Sequence, residues 1–195
     1  MHGLIYRALQ CFVTDSYGPD RWIEVAMVAD LGLVEFEAML MYDDAIAPRL
    51  IAAVGAVLGR SEPDLMEDVG TYLVSHPNTE GLRRLMRFGG VTFVELLHSL
   101  DDLPDRARLA VSDLNLPHIE LREYSSSHFS VICGTSIPRF GHVMMGLLRT
   151  MADDYGALAL LEFQGGAKGT ETVSITLVET EFAKGRSFAL GARAS

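Results

Sequence analysis

Six histidines and two cysteines are the side chains of this 195-residue chain best suited to hold a metal or act as nucleophiles. His2, His76, His98, His118, His128 and His142 are scattered, with no His-x-x-x-His pair, and Cys11 and Cys133 form no Cys-x-x-Cys. Zinc sites are built from such close pairs, so the spacing argues against one. Each histidine is expected to be satisfied by hydrogen bonds at the surface or in the core. Acidic groups occur at Asp43-Asp44, at Asp101, Asp102 and Asp105, and at Asp153-Asp154. The first two stand where helices should begin, and the helix dipole explains them. Solvent exposure is the simplest account of the third. Gly165-Gly166-Ala167-Lys168-Gly169 lacks the spacing and following helix of a phosphate loop and reads as a hairpin turn. Gly-x-Ser-x-Gly is absent, and no catalytic constellation emerges. The chain is not expected to be an enzyme.

Composition narrows the partners. The formal charge is −10, from 26 acidic against 16 basic residues, and phosphate-rich surfaces need clustered Lys and Arg. Neither nucleic acid nor a membrane is an expected partner. The one basic knot, Leu82-Arg83-Arg84-Leu85-Met86-Arg87, reads as a solvated helix face. Apolar residues make up 49% of the chain, enough for a sizeable core, yet no apolar run approaches the ~20 residues that span a bilayer. No basic segment followed by a hydrophobic one opens the chain. Cys11 and Cys133 read as small buried hydrophobes, so the expected setting is cytoplasmic and reducing.

The elements that must position any site fall into two parts. Leu4, Ile5, Leu9, Phe12 and Val13 share one helix face, ended by Gly18-Pro19. A second helix should bury Trp22, Ile23, Ala26 and Met27. Asp43-Asp44 precedes a helix through Leu50 to Leu58, and Gly59 closes it. Ser61 and Pro63 begin the next, which His76-Pro77 stops. Asn78 is expected to cap a short helix ending at Gly89-Gly90. A further helical stretch runs from Thr92 to about Leu100, followed by a helix containing Pro104 and capped by Asp101 or Asp102. After Pro117 the apolar period changes to two, predicting a hairpin of Ile119-Leu121 with Phe129-Cys133 around Ser125-Ser126-Ser127. A helix follows over Gly141 to Tyr155, then strands at Ala157–Phe163 and Val173–Leu177. Phe182 to Leu190 could add another strand. The order predicts an α+β fold: one domain over residues 1–190, helical to about 116 and α/β from about 117, with a frayed tail at 191–195.

Specific residues in that order resemble the H-NOX (heme–nitric oxide/oxygen binding) family, which includes the heme domain of soluble guanylate cyclase and stand-alone bacterial sensors. They are Met1-His2-Gly3, Tyr17-Gly18 followed by Trp22, Tyr42-Asp43-Asp44, Leu58, and Phe93 with Leu100-Asp101 in the Gly89–Leu103 run. The Pro104 to Pro117 spacing and Gly146-Leu147-Leu148-Arg149-Thr150 agree as well. The resemblance covers nearly the whole chain. It implies an H-NOX-like fold, heme as the family cofactor, and coupling to a signalling enzyme such as a histidine kinase or a cyclic-nucleotide enzyme.

Two family signatures are missing. The resemblance puts Pro104 where the family carries the histidine that ligates iron, and proline has no donor atom. The family's Tyr-x-Ser-x-Arg, which binds the heme propionates, would fall on Cys133, Thr135 and Ile137, or on Gly134, Ser136 and Pro138. Neither register supplies Tyr or Arg. Tyr124-Ser125-Ser126-Ser127-His128 has a similar look but sits in the hairpin turn. Pro117 matches a family proline that packs on the porphyrin, although it also serves as a plain stop. Heme iron needs an imidazole, thiolate, thioether or phenolate, and buried propionates need cationic or hydroxyl partners. The expected function is therefore a sensor or signalling regulator that binds a small molecule or a partner protein without standard His-ligated heme. The alternative is a heme gas sensor whose iron is held by His98 or His142, although His98 lies six residues before Pro104 and off its helix face. A reduced or ligand-filled cavity is expected, lined by Leu4, Ile5, Leu100, Pro104, Pro117, Val143 and Leu147. The methionines are mainly core filler, although Met-lined walls would suit an unusual ligand.

Overall fold

The computed structural model describes residues 1–167 and 169–186. Helix α1 (Gly3–Tyr17) starts where the His2 Nδ1 accepts the Leu4 N–H at 3.2 Å. It ends at Gly18, whose φ of +96° is open to glycine at little cost, and Pro19 then occupies the first turn of α2 (Pro19–Val28). The irregular segment that follows is pinned to both helices. The Trp22 indole N–H donates to the Val34 carbonyl at 2.5 Å, Gln10 accepts the Phe36 N–H at 2.9 Å, and Phe36 stacks on Tyr6 with ring centroids 4.9 Å apart. This anchoring sets the roll of α2: Trp22, Val25 and Ala26 are buried, whereas Ile23 and Met27, expected inside, are exposed.

Next come α3 (Ile46–Leu58) and α4 (Glu62–Ser75), the latter capped by Ser61 with Pro63 in its first turn. A short 3-10 turn (Pro77–Thr79) leads into α5 (Glu80–Arg87). Asn78 caps neither. Its side chain donates to Asp15 at 2.9 Å, and the His76 Nδ1 accepts the Asn78 N–H instead. Helix α6 (Phe93–His98) opens with a reciprocal Thr92–Glu95 capping box. Helix α7 (Leu103–Ala110) holds Pro104 in its first turn and has no side-chain cap. Asp101, expected as that cap, instead accepts the Leu121 N–H at 2.6 Å.

The remainder is β1 (Ile119–Ser125), β2 (His128–Gly134), α8 (Phe140–Tyr155), β3 (Leu158–Gly165) and β4 (Thr170–Glu179). The four strands form an antiparallel sheet in the order β1-β2-β4-β3, so the molecule is α+β. Phe129, Val131, Cys133, Val173, Ile175 and Leu177 form the sheet's buried side. Residues 180–186 contain no strand, and residues 187–190 of the suggested extra strand lie outside the described residues.

Helix α8 is buried along most of its length and joins the two parts. Against α4 the backbones nearly touch. A Cβ on Gly70 would overlap the Val143 carbonyl, and one on Gly146 would overlap the Glu67 carbonyl. Glu67 and Arg149 pair across the same crossing. At its C-terminal end, Asp154 is 2% exposed rather than solvated as expected. It accepts from the Arg83 Nε at 2.6 Å and lies 3.7 Å from the Arg186 guanidinium. The basic knot of α5 is therefore engaged: Arg83 holds Asp154, Arg84 pairs with Glu80 at 2.8 Å, and Arg87 lies 4.0 Å over the Tyr155 ring.

Candidate functional site

A cavity of about 280 Å³ lies among α1, α3, α4, α5, α7 and α8. Leu4, Ile5 and Leu9 of α1 face Val143, Met144 and Leu147 of α8 across it. Of the expected lining residues, Leu4, Ile5, Val143 and Leu147 are in the wall. Leu100, Pro104 and Pro117 are buried but do not line it. Pro104 sits in the first turn of α7, whose Leu103 and Ala107 are the residues that reach the cavity. Pro117 packs instead near Gly134.

The sequence reading missed the contributions of α3, α4 and α5: Leu50, Ile51, Met66, Val69, Leu82, Leu85 and Met86. The available signal was methionine. Met66, Met86 and Met144 line the cavity, whereas Met39 and Met41 are exposed. Leu82, Val111 and Leu114 of the wall are partly exposed and Ala110 is exposed, so the lining reaches the surface along α5, α7 and the segment after α7.

The wall has little polar chemistry. Its one hydroxyl, on Tyr6, donates to the Asp43 carbonyl at 2.7 Å, and burial pushes its pKa up to about 12. Burial also pushes the Cys133 thiol up to about 12, with Glu171 adding to the shift, so this sulfur is a packed thiol rather than a thiolate. Cys11 is raised by burial too, and both cysteines are free.

None of the histidines lines the cavity among the described residues. His98 lies 3.3 Å from Glu123 and edge-on to Phe129. His142 stacks on Phe163 with ring centroids 4.1 Å apart, and desolvation lowers its pKa. His76 stacks on Tyr72 and lies 3.6 Å from Asp15, and the His128 Nδ1 meets Ser125 and Ser127. The side-chain donor atoms left in the wall are the Tyr6 hydroxyl and the thioethers of Met1, Met66, Met86 and Met144. In cytochromes c, where a thioether holds heme iron, a histidine takes the other axial position. Arg139, the cation that follows residues 133–138, pairs with Glu62 at 3.3 Å and does not line the cavity. These residues do not fit heme held by an axial imidazole with its propionates paired.

Helices wrapped around an apolar chamber, the last of them packed against an antiparallel sheet, define a class of α+β fold. Solved structures of that class superpose closely. The Fe(II) unliganded H-NOX protein from K. algicida matches with a TM-score of 0.78 at 16% identity, covering 94% of this chain and all of that one. The Fe(II)NO form of an H-NOX protein from S. oneidensis gives 0.73 at 18%, covering 91% of this chain and 99% of that one. The family model described as Haem-NO-binding matches residues 2–159, and the chain belongs to that family. Soluble guanylate cyclase 89Db of Drosophila melanogaster is 22% identical over 92% of the chain, and soluble guanylate cyclase gcy-31 of Caenorhabditis elegans is 23% identical over 79%. The chain spans only 27% and 22% of those two proteins. Among the described residues, no helix is long and apolar enough to cross a membrane.

Proposed function

We propose that this H-NOX domain is a non-catalytic, cytoplasmic sensor whose cavity binds a small molecule without standard His-ligated heme, and that it passes its state to a separate signalling protein. The observation that carries this reading is the apolar wall, with no imidazole and no cationic side chain among the lining residues. Pro104, at the position the resemblance assigns to the iron ligand, agrees with it. A void of this size has reason to be filled, because an empty apolar cavity costs about 24 cal/mol per Å³. Coupling to a partner is supported by the guanylate cyclase relatives, in which a matching region forms about a quarter of a longer protein.

The test is an absorption spectrum of protein produced with heme available, together with mass spectrometry of a gently purified, ligand-retaining preparation. The expected result is no strong Soret band, weak non-stoichiometric uptake of added hemin, and a co-purifying small molecule. Pro104→His alone should not confer tight heme binding, because propionate partners are still missing. A stable, stoichiometric heme in the unmutated protein would overturn the proposal. Loss of that heme in His98→Ala or His142→Ala would then establish a gas sensor with an unusual axial ligand.

A further inference from the structure

Building on the reading of the cavity as the ligand site, we infer that its ligand is an uncharged, hydrocarbon-rich molecule, the size of one or two rings or a medium-length alkyl chain. Every lining side chain is aliphatic, thioether or aromatic. No arginine on the surrounding helices lines the cavity: Arg49 of α3 is exposed, others are paired elsewhere, and the Met1 ammonium is taken by Asp44 and the Tyr42 carbonyl. Arg7 pairs with Glu35 at 2.8 Å, Arg83 with Asp154 at 2.6 Å, and Arg84 with Glu80 at 2.8 Å. Arg106, beside the lining residue Ala107, donates to the Leu85 carbonyl at 3.3 Å and the Ser99 carbonyl at 3.1 Å. A carboxylate or phosphate entering here would lose its water and gain no counter-charge, which is a heavy penalty. The Tyr6 hydroxyl already donates its hydrogen bond to the Asp43 backbone carbonyl, so it offers a ligand only an acceptor lone pair.

Size and adaptability point the same way. An apolar cavity of roughly 150 Å³ takes a single benzene ring, and this one is about 280 Å³. Met66, Met86 and Met144 can change rotamer around an irregular hydrocarbon without stranding a polar group. The lining residues that reach the surface, Leu82, Ala110, Val111 and Leu114, are apolar as well, so access past them demands no charge.

The experiment titrates the full chain with the neutral fluorophore N-phenyl-1-naphthylamine and competes it with decan-1-ol or with decanoate. Ala8→Phe and Ala110→Phe place a ring in the cavity from half-exposed and exposed positions, and circular dichroism checks each fold. Expected are saturable binding of one probe per chain, displacement by decan-1-ol at concentrations about tenfold or more below those needed with decanoate, and probe affinity weakened about tenfold by each substitution. The two substitutions lie on different helices, so misfolding of one leaves the other to report. The competition in unmutated protein decides the ligand class by itself. Decanoate competing as well as decan-1-ol would overturn the uncharged class while leaving the cavity as a ligand site. Absence of saturable binding, or binding unmoved by either substitution, would overturn the cavity as the ligand site altogether.

Discussion

The two flanks of α8 are built on opposite principles. Towards α4, Gly70 and Gly146 bring backbone onto backbone with no room for a methyl group. Towards α1, α5 and α7, the same helix faces a chamber walled by leucine and methionine. A ligand-responsive fold needs both, because a soft cavity gives a usable signal only when it is framed by something that cannot deform. The crossing with α4 brings two backbones together, whereas α5 and α7 face α8 across the chamber.

Gly146→Ala should give the largest effect. Overlap with a backbone carbonyl has no flexible side chain to absorb it, so a loss of about 3 kcal/mol is expected in urea unfolding. A nearly neutral result would show that the crossing has slack and dissolve the contrast. Asp154→Asn should follow, at about 2 kcal/mol. That is below the ~3–5 kcal/mol for breaking a fully buried pair, because the Arg83 side chain remains 21% exposed. The cavity side should be tolerant: Met86→Leu or Met66→Leu should each cost less than about 1.5 kcal/mol in the same assay. A larger loss would mean the chamber is packed as rigidly as the crossing.

The smallest effect concerns pH. Desolvation holds the His142 pKa below its ordinary 6.5, while Glu171 and Asp64 pull it up and Arg139 pushes it down. The unfolded chain therefore binds a proton first as pH falls, and stability should decline from about pH 6.5 downward through the folded-state pKa. Above 6.5 this group contributes no slope. His142→Phe preserves stacking on Phe163 and should flatten that decline, measured as unfolding midpoint against pH.

Local signals carried much of the architecture. Ser61-x-Pro63, the Gly18-Pro19 and Gly59 stops, and the change of period after Pro117 each act through residues close in sequence, and helix and strand order follow from them. Errors arose where a distant partner decided. The roll of α2 depends on Val34 accepting from Trp22. Asp154 is inside because Arg83, on another helix, meets it there. Asn78 serves Asp15 rather than its own helix. The cavity was legible on α1 and α8, whose apolar stripes are long, but not on α5, where Leu82, Leu85 and Met86 alternate with arginines that read as a solvated face.

Asp101 has a consequence unconnected with ligands. Among the described residues strand β1 is an edge of the sheet, pairing only with β2, and an edge strand displays free amides on which another chain can add itself. By taking the Leu121 N–H, the Asp101 carboxylate occupies one of those amides with a negative charge. Glu120 and Arg122 flank it, and the irregularity between Glu123 and Ser125 disturbs the pairing register further along. The opposite edge, β3, is interrupted near both its ends. The residue expected to cap a helix thus puts a negative charge on the sheet edge, and Asp101→Ala is expected to aggregate faster at high concentration with ligand binding in the cavity unchanged.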